Sequence, residues 1–279
     1  TIDLDHQDWL GNNRDSIGRE KAGIFRAGQA AVIGESHPPA GLLAEAARIG
    51  ARMIRRDADY AVERHRHHWI WRNDSIELEL PLPALSATAQ VDNAAAGIAA
   101  LHAVRGRLGW NPCAIATGIA DARLPGRLQR SVSESGVELL IDVAHNPQAA
   151  RQLAQYLSDH PPNGRSIAVF GALADKDVAA IVAVLAGAFD HWHLGGLDTV
   201  NARGLDATAL RERIASTLSG DVTTHADIAA ALAAATASTQ SGDLIAAFGS
   251  FHVAAAAMQF AERGQYGASA SEGATTERL

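Results

Sequence analysis

Several things are scarce or missing in this chain. It has one cysteine, Cys113, among 279 residues, so no internal disulfide can form and a reducing cytoplasm fits. No apolar run reaches membrane-spanning length, and no signal peptide is visible. Lysine and arginine total 24 against 31 acidic residues, a formal net charge of -7. That argues against non-specific nucleic-acid binding, which needs a basic surface, but leaves room for a local basic pocket. No G-x-x-x-x-G-K-(S/T) occurs, so there is no phosphate-cradling P-loop, and no GxGxxG opens a βα unit. The first residue is Thr1 rather than Met, inside a strand-like TIDLDH run, which reads as the start of a fragment.

Hydrophobic residues make up 47% and charged residues 20%, ordinary for a globular protein with a substantial core. The length predicts about two domains. Ile2 and Leu4 alternate with polar residues as in a strand end. Asp15 precedes a short helix containing Ile17, Lys21 and Ile24, and Ala30 to Gly34 reads as a strand. Leu42 to Gly50 is an amphipathic helix with a glycine stop. Met53 to Tyr60 and His67 to Trp71 fit strands, with a hairpin turn at Asp74–Ser75. The RHRHH run at 64–68 has no carboxylate or thiol at ligand spacing, so a solvated strand or loop is expected there, not a metal site. Asp92 to Leu108 is a long Ala-rich helix with Asn93 in its first turn, and Cys113 to Ile119 is too short to classify.

From Leu128 the pattern becomes regular. Strand signals at Leu139–Val143, Ser166–Phe170, His191–Leu194, Val222–Thr224 and Asp243–Phe248 alternate with helix signals at Pro147–Tyr156, Val178–Phe189, Ala207–Leu218, Ile228–Ser238 and Val253–Glu262. Alternation of this kind predicts a βαβ-built, mainly parallel sheet with helices on both faces. The expected organisation is a first domain over 1–129, an α/β domain over 130–264 and a disordered tail over 265–279, which is low in apolar residues.

Chemistry is expected at four places. Asp142 and His145 follow an apolar strand and precede Asn146 and Pro147, which read as helix N-cap and first helical position. They therefore fall at a strand's carboxyl end, where open α/β sheets bind ligands. Alternatively Asp142 caps the turn and His145 is simply exposed. Arg127 lies on the ARLPGRLQ Pro-Gly turn, either as a phosphate fork or as an exposed linker arginine. Gly249–Ser250–Phe251–His252 joins a strand to a helix, where glycine admits a ligand, the helix N-terminus favours an anion and Ser250 can hold a carboxylate; a tight structural turn is the plainer reading. His6 and Lys21 form the last pair. An imidazole can bind metal, and a lysine amine that loses its proton can add carbon dioxide; spacing alone demands neither.

Taken together, LDHQDWLG, SIGREKAGIFR, LPGRLQ, DVAHNPQAA, VFGALADKD and GSFHV stand in an order that resembles the bifunctional dihydrofolate synthase/folylpolyglutamate synthase family. The resemblance covers residues 1 to 262. It implies a Mur-ligase-like architecture, α/β throughout: a P-loop ATPase (central) domain followed by a Rossmann-like carboxy-terminal domain, with the active site in the cleft. This chain would be the latter part of the first and the whole of the second, with the P-loop half upstream of Thr1; the chain alone would then be inactive.

The resemblance also implies chemistry. ATP phosphorylates a carboxylate of dihydropteroate or a folate, the amine of L-glutamate attacks the acyl phosphate, and phosphate leaves as an amide forms; Mg2+ offsets phosphoryl charge. By motif, His6 resembles a magnesium ligand and Lys21 the lysine carbamylated near it. Asn93 resembles a contact to the ATP base, although Asp92 replaces the usual proline before it. Arg127 and Asp142 resemble ATP contacts, and His145 and Ser250 groups on the glutamate side. Asp175, Lys176 and Asp177 match a family DKD, and the LDTVNARGL departure leaves Arg203 without an implied role. A cytoplasmic monomer without nucleic-acid or membrane partners is expected. Rival readings are another Mur-like ligase and a non-catalytic nucleotide- or partner-binding module derived from one.

Overall fold

The computed structural model describes residues 13–84, 89–218, 221–263 and 266–268. The strand expected at Ile2–Leu4 lies outside them, as does His6. The chain forms two compact units, Thr1–Arg123 and Leu124–Leu279.

In the first unit, helix α1 (Arg14–Ala22) is capped by Asn13, whose side chain accepts from Ser16 N. It packs closely on α2 (Ala40–Ile49), because Gly18 and Gly41 lie where a Cβ would collide with the opposite helix or with the Asp15 carbonyl. Gly50 ends α2 in the left-handed conformation, as the glycine stop predicted. Strands β1 (Ala30–Ile33) and β2 (Arg52–Arg55) pair in parallel. The strand expected to run from Met53 to Tyr60 instead breaks after Arg55. Asp57 takes a positive φ of 60° there, and the chain turns into β3 (Ala61–Arg64). Strands β3, β4 (His68–Arg72) and β5 (Glu77–Pro81) form an antiparallel sheet. The Asn73 side chain accepts from Ser75 N and Ile76 N, which makes the expected hairpin turn. Trp69, Trp71 and Leu80 bury against Ala95, Ile98 and Ala99 of α3 (Ala89–Ala103). This helix begins earlier and ends sooner than expected, so Asn93 lies beyond its first turn; a separate short turn, α4 (Arg105–Leu108), follows. The unclassified Cys113 segment is helix α5 (Pro112–Asp121), capped by Asn111.

The second unit is a seven-stranded sheet in the order β10-β9-β8-β11-β7-β6-β12. Its strands are β6 (Gln129–Ser133), β7 (Glu138–Ile141), β8 (Ser166–Phe170), β9 (His191–Gly195), β10 (Val222–His225), β11 (Leu244–Phe248) and β12 (Tyr266–Ala268). The five from β10 to β7 are parallel, and β6 and β12 are antiparallel. Leu140, Ala168, Phe170, Trp192, Leu194 and Phe248 face α6 (Pro147–Asp159), α7 (Val178–Leu185) and α8 (Ala207–Ile214). Leu139, Ile141, Val169, Ile245 and Ala247 face α9 (Ile228–Ser238) and α10 (Phe251–Arg263) on the other side. Burial on both faces explains the continuous apolar runs. Within the tail expected to be disordered, Tyr266–Ala268 form strand β12: Tyr266 packs near Phe260, with ring centroids 6.4 Å apart, and the strand pairs with β6; residues 269–279 lie outside the described ones.

The order of these strands sets up a site. Strand β7 leads into α6 on one face, while its neighbour β11 leads into α10 on the other. Adjacent parallel strands whose following helices diverge leave a crevice at their carboxyl ends, the topological switch point of an open α/β sheet.

Candidate functional site

The segment after β7 is held by one carboxylate. Asp142 is buried, its Oδ2 accepting from Leu128 N at 2.9 Å and its Oδ1 from Ala144 N at 2.8 Å. Both donors belong to residues with positive φ, 47° at Leu128 and 21° at Ala144. Non-glycine residues resist that conformation, so the carboxylate holds two strained positions. Gly126, also at positive φ, accepts from Val143 N at 3.0 Å through its carbonyl. The LPGRLQ turn is thereby fastened to the end of β7 and belongs with the second unit. Burial pushes the Asp142 carboxyl up from its ordinary pKa; the N–H bonds from Leu128 and Ala144 and the charge of Arg127 oppose this. The reading of Asp142 as a turn-holding residue is therefore real, and it brings Arg127 to this edge.

Arg127 is half-buried. Among the described residues its guanidinium makes no hydrogen bond or ion pair; it lies over the ring of Phe251, 5.8 Å from the centroid. The half-buried His145 ring stands 6.2 Å from the same ring at 33°. Asn146 accepts from Ala149 N and caps α6, with Pro147 next, as the sequence predicts. Ser250 is buried, and its Oγ accepts from Val253 N at 3.2 Å. It is thus the cap of α10, which moves that helix's start ahead of the expected Val253. Its hydroxyl hydrogen is not spent in this bond. Gly249 has φ 115°, and a Cβ there would meet the Gly171 carbonyl and sit 2.6 Å from the Phe170 ring, so only glycine fits this crossing.

Two further loops reach the same edge. Asp175, after β8, lies 3.5 Å from Lys176 Nζ and 3.7 Å from Arg203 Nη1, while Asp177 caps α7. Asn201, in the loop after β9, accepts from Arg203 N through Oδ1, which fixes its amide orientation. Its nitrogen lies 2.9 Å from His252 Nε2. Sequence reasoning marked the Gly249–Ser250–Phe251–His252 segment but gave Phe251 and His252 no role of their own, and it missed Asn201 as a site neighbour.

In the first unit Asn93 donates to Gln90 at 3.1 Å and lines a largely apolar cavity of about 620 Å³ between α3 and α5, with Trp110 and Asn111. Asp92, standing where proline was expected, accepts from Arg56 at 2.6 Å and Arg64 at 2.5 Å, tying α3 to the strands. Lys21 is exposed in the last turn of α1 and has no ion pair among the described residues. No group of three or more His, Cys, Asp or Glu among the described residues could hold a metal ion. The described residues therefore make no metal-ligand set of that kind, and His6 lies outside them. Arg127, with its donors unspent, does fit an anionic oxygen such as that of a nucleotide phosphate.

Comparison with known proteins places these features. Residues 126–251 match the Mur ligase, glutamate ligase domain. The Escherichia coli dihydrofolate synthase/folylpolyglutamate synthase is 40% identical over 260 residues, which is 93% of this chain and 58% of that protein. A solved structure of the E. coli enzyme in complex with DHPP and ADP superposes with a TM-score of 0.82 at 39% identity, covering 94% of this chain and 60% of the other. A bifunctional folylpolyglutamate synthase/dihydrofolate synthase solved with Mn, AMPPNP and L-glutamate bound gives 0.79 at 37% identity, over 92% of this chain and 59% of the other. The chain thus spans about three fifths of the length of these relatives. Sequence, fold and relatives agree: this chain is homologous over 93% of its length to dihydrofolate synthase/folylpolyglutamate synthase, and residues 126–251 carry the Mur ligase, glutamate ligase domain.

Proposed function

We propose that the protein is an ATP-dependent amide ligase that adds L-glutamate to dihydropteroate and to folates. The observation that carries this is the carboxyl edge of the second unit, where Arg127, His145 and Ser250 converge on a switch point in a chain with these relatives. ATP supplies the phosphoryl group that turns the acceptor carboxylate into an acyl phosphate. This chain's residues bind and orient. Arg127 takes anionic phosphate oxygens through its unspent N–H groups. Asp142 assists as an ATP contact and fixes the turn that carries Arg127. Ser250, while capping α10, donates a hydrogen bond from its hydroxyl to a glutamate carboxylate, and His145, on the glutamate side, takes the proton the attacking amine must lose. Asn93 contacts the ATP base. By motif, Lys21 as a carbamate and His6 as a ligand would hold Mg2+, which would offset the charge on the transferring phosphoryl group.

A cytoplasmic monomer is inferred from the single cysteine and the family. No described helix is long and apolar enough to cross a membrane.

The test is ATP-dependent incorporation of labelled L-glutamate into dihydropteroate by the full-length gene product. Formation of dihydrofolate with stoichiometric ADP and phosphate supports the reading. Nucleotide binding without glutamate incorporation would point instead to a binding module.

A further inference from the structure

Phe251 is the group at this edge with no part in the reading above. It is a large apolar side chain left 64% exposed at the start of α10. Its neighbours are Arg127 and His145. The turn that carries Arg127 is fixed through its backbone, because both Asp142 oxygens are occupied by the N–H groups of Leu128 and Ala144. The guanidinium itself has no hydrogen bond or ion pair among the described residues, so two things set its place: the nearby Asp142 charge and the Phe251 ring face.

An arginine side chain held by nothing samples many rotamers, and ordering it on ligand binding costs affinity. A carboxylate partner would order it but would also occupy its donors. An aromatic face orders it differently. The attraction is between the cation and the ring quadrupole, so the N–H donors remain available.

We propose that Phe251 is a positioning residue whose ring holds the Arg127 guanidinium ready for the anionic oxygens of a phosphate group, with His145 packed toward the same ring. This rests on the reading of Arg127 as the phosphate holder. What it requires at position 251 is an aromatic face, not apolar bulk alone.

The test is calorimetric titration of the full-length gene product with AMPPNP, with thermal melts alongside. The variants are F251L, F251M, F251Y, R127A and F251L/R127A. The expected result is a dissociation constant about fivefold weaker in F251L and F251M, recovery of most of the loss in F251Y, and melting temperatures unchanged. In the R127A background F251L should add nothing, since the ring acts through the guanidinium. Full affinity in F251L beside weakened binding in R127A would overturn the proposal while leaving the phosphate-holding reading intact, as would equal losses in F251L and F251Y or additive losses in the double variant. Unchanged binding in R127A would remove that reading and the proposal together.

Discussion

At the scale of single residues, Asp142 has two kinds of work. The resemblance alone assigns it to ATP, with the expectation that D142A weakens ATP use and leaves folding largely unharmed. The structure changes that expectation, because two backbone N–H groups at positive φ depend on its oxygens. Leaving a buried donor unsatisfied costs about 1–3 kcal/mol. D142A is therefore expected to lower stability by about 2–4 kcal/mol, read from urea unfolding. D142N should fall between, since one amide oxygen can accept from only one of two donors facing opposite ways. A D142A variant as stable as the parent would mean that the turn holds itself. Sequence could show that a carboxylate ends the β7 run; it could not show which N–H groups close on it, because Leu128 lies fourteen residues away and meets it only in the fold. The same holds for Phe251, whose neighbours come from two other segments.

At the scale of elements, the joint between β11 and α10 tolerates little. G249A places a side chain at φ 115° against the Gly171 carbonyl and Phe170 ring. Backbone strain alone costs about 1–3 kcal/mol. Loss of more than about 2 kcal/mol is expected by denaturant melt, with weakened ligand binding because Ser250 and Phe251 follow directly. The β9–β10 pair carries a pH dependence. His193 Nδ1 lies 2.9 Å from His225 Nε2, the His191 ring is tilted at 50° with its centroid 4.5 Å from that of His193, and Asp227 stands near His225. Burial, then His191 and His225, pull the His193 pKa down to about 4. His225 is lowered by burial and then by His191, against Asp227. Unfolded histidine titrates near 6.5. The unfolded chain thus gains protons that the folded chain refuses, so stability is full above about pH 6.5 and falls as pH drops toward 4. The urea midpoint should be lower at pH 5 than at pH 7, and H193Q should flatten that slope. A slope unchanged in H193Q would assign the acid sensitivity elsewhere, His225 being the first alternative; the Asp243 contribution is lost only below about pH 5. Burial raises the Asp243 carboxyl, but hydrogen bonds from Arg165 and Gln240 outweigh it and hold it low.

The helix and strand periods of the second unit were readable because its central strands β7, β8, β9 and β11 are buried on both faces and its helices on one. Asn146–Pro147 and the GSFH serine carried their helix starts in their own chemistry. Strand order was not readable: β11 inserts between β8 and β7 through contacts remote in sequence. Strand β12 was hidden by a glycine- and serine-rich composition that gives no signal until β6 offers an edge.

At the scale of the whole molecule, the second unit has a core on each face of its own sheet. Residues 124–279 are therefore expected to unfold alone in one cooperative urea transition; a fragment without such a transition would show that its cores are not self-sufficient. The central claim is that ligands gather at the β7–β11 switch point of this unit. Hydrogen–deuterium exchange of the full-length gene product, with and without AMPPNP, Mg2+ and L-glutamate, tests it most directly. The account predicts slowed exchange in the segments 126–128, 142–145 and 249–252. Protection elsewhere in the protein, with all three of these segments unchanged, would contradict it.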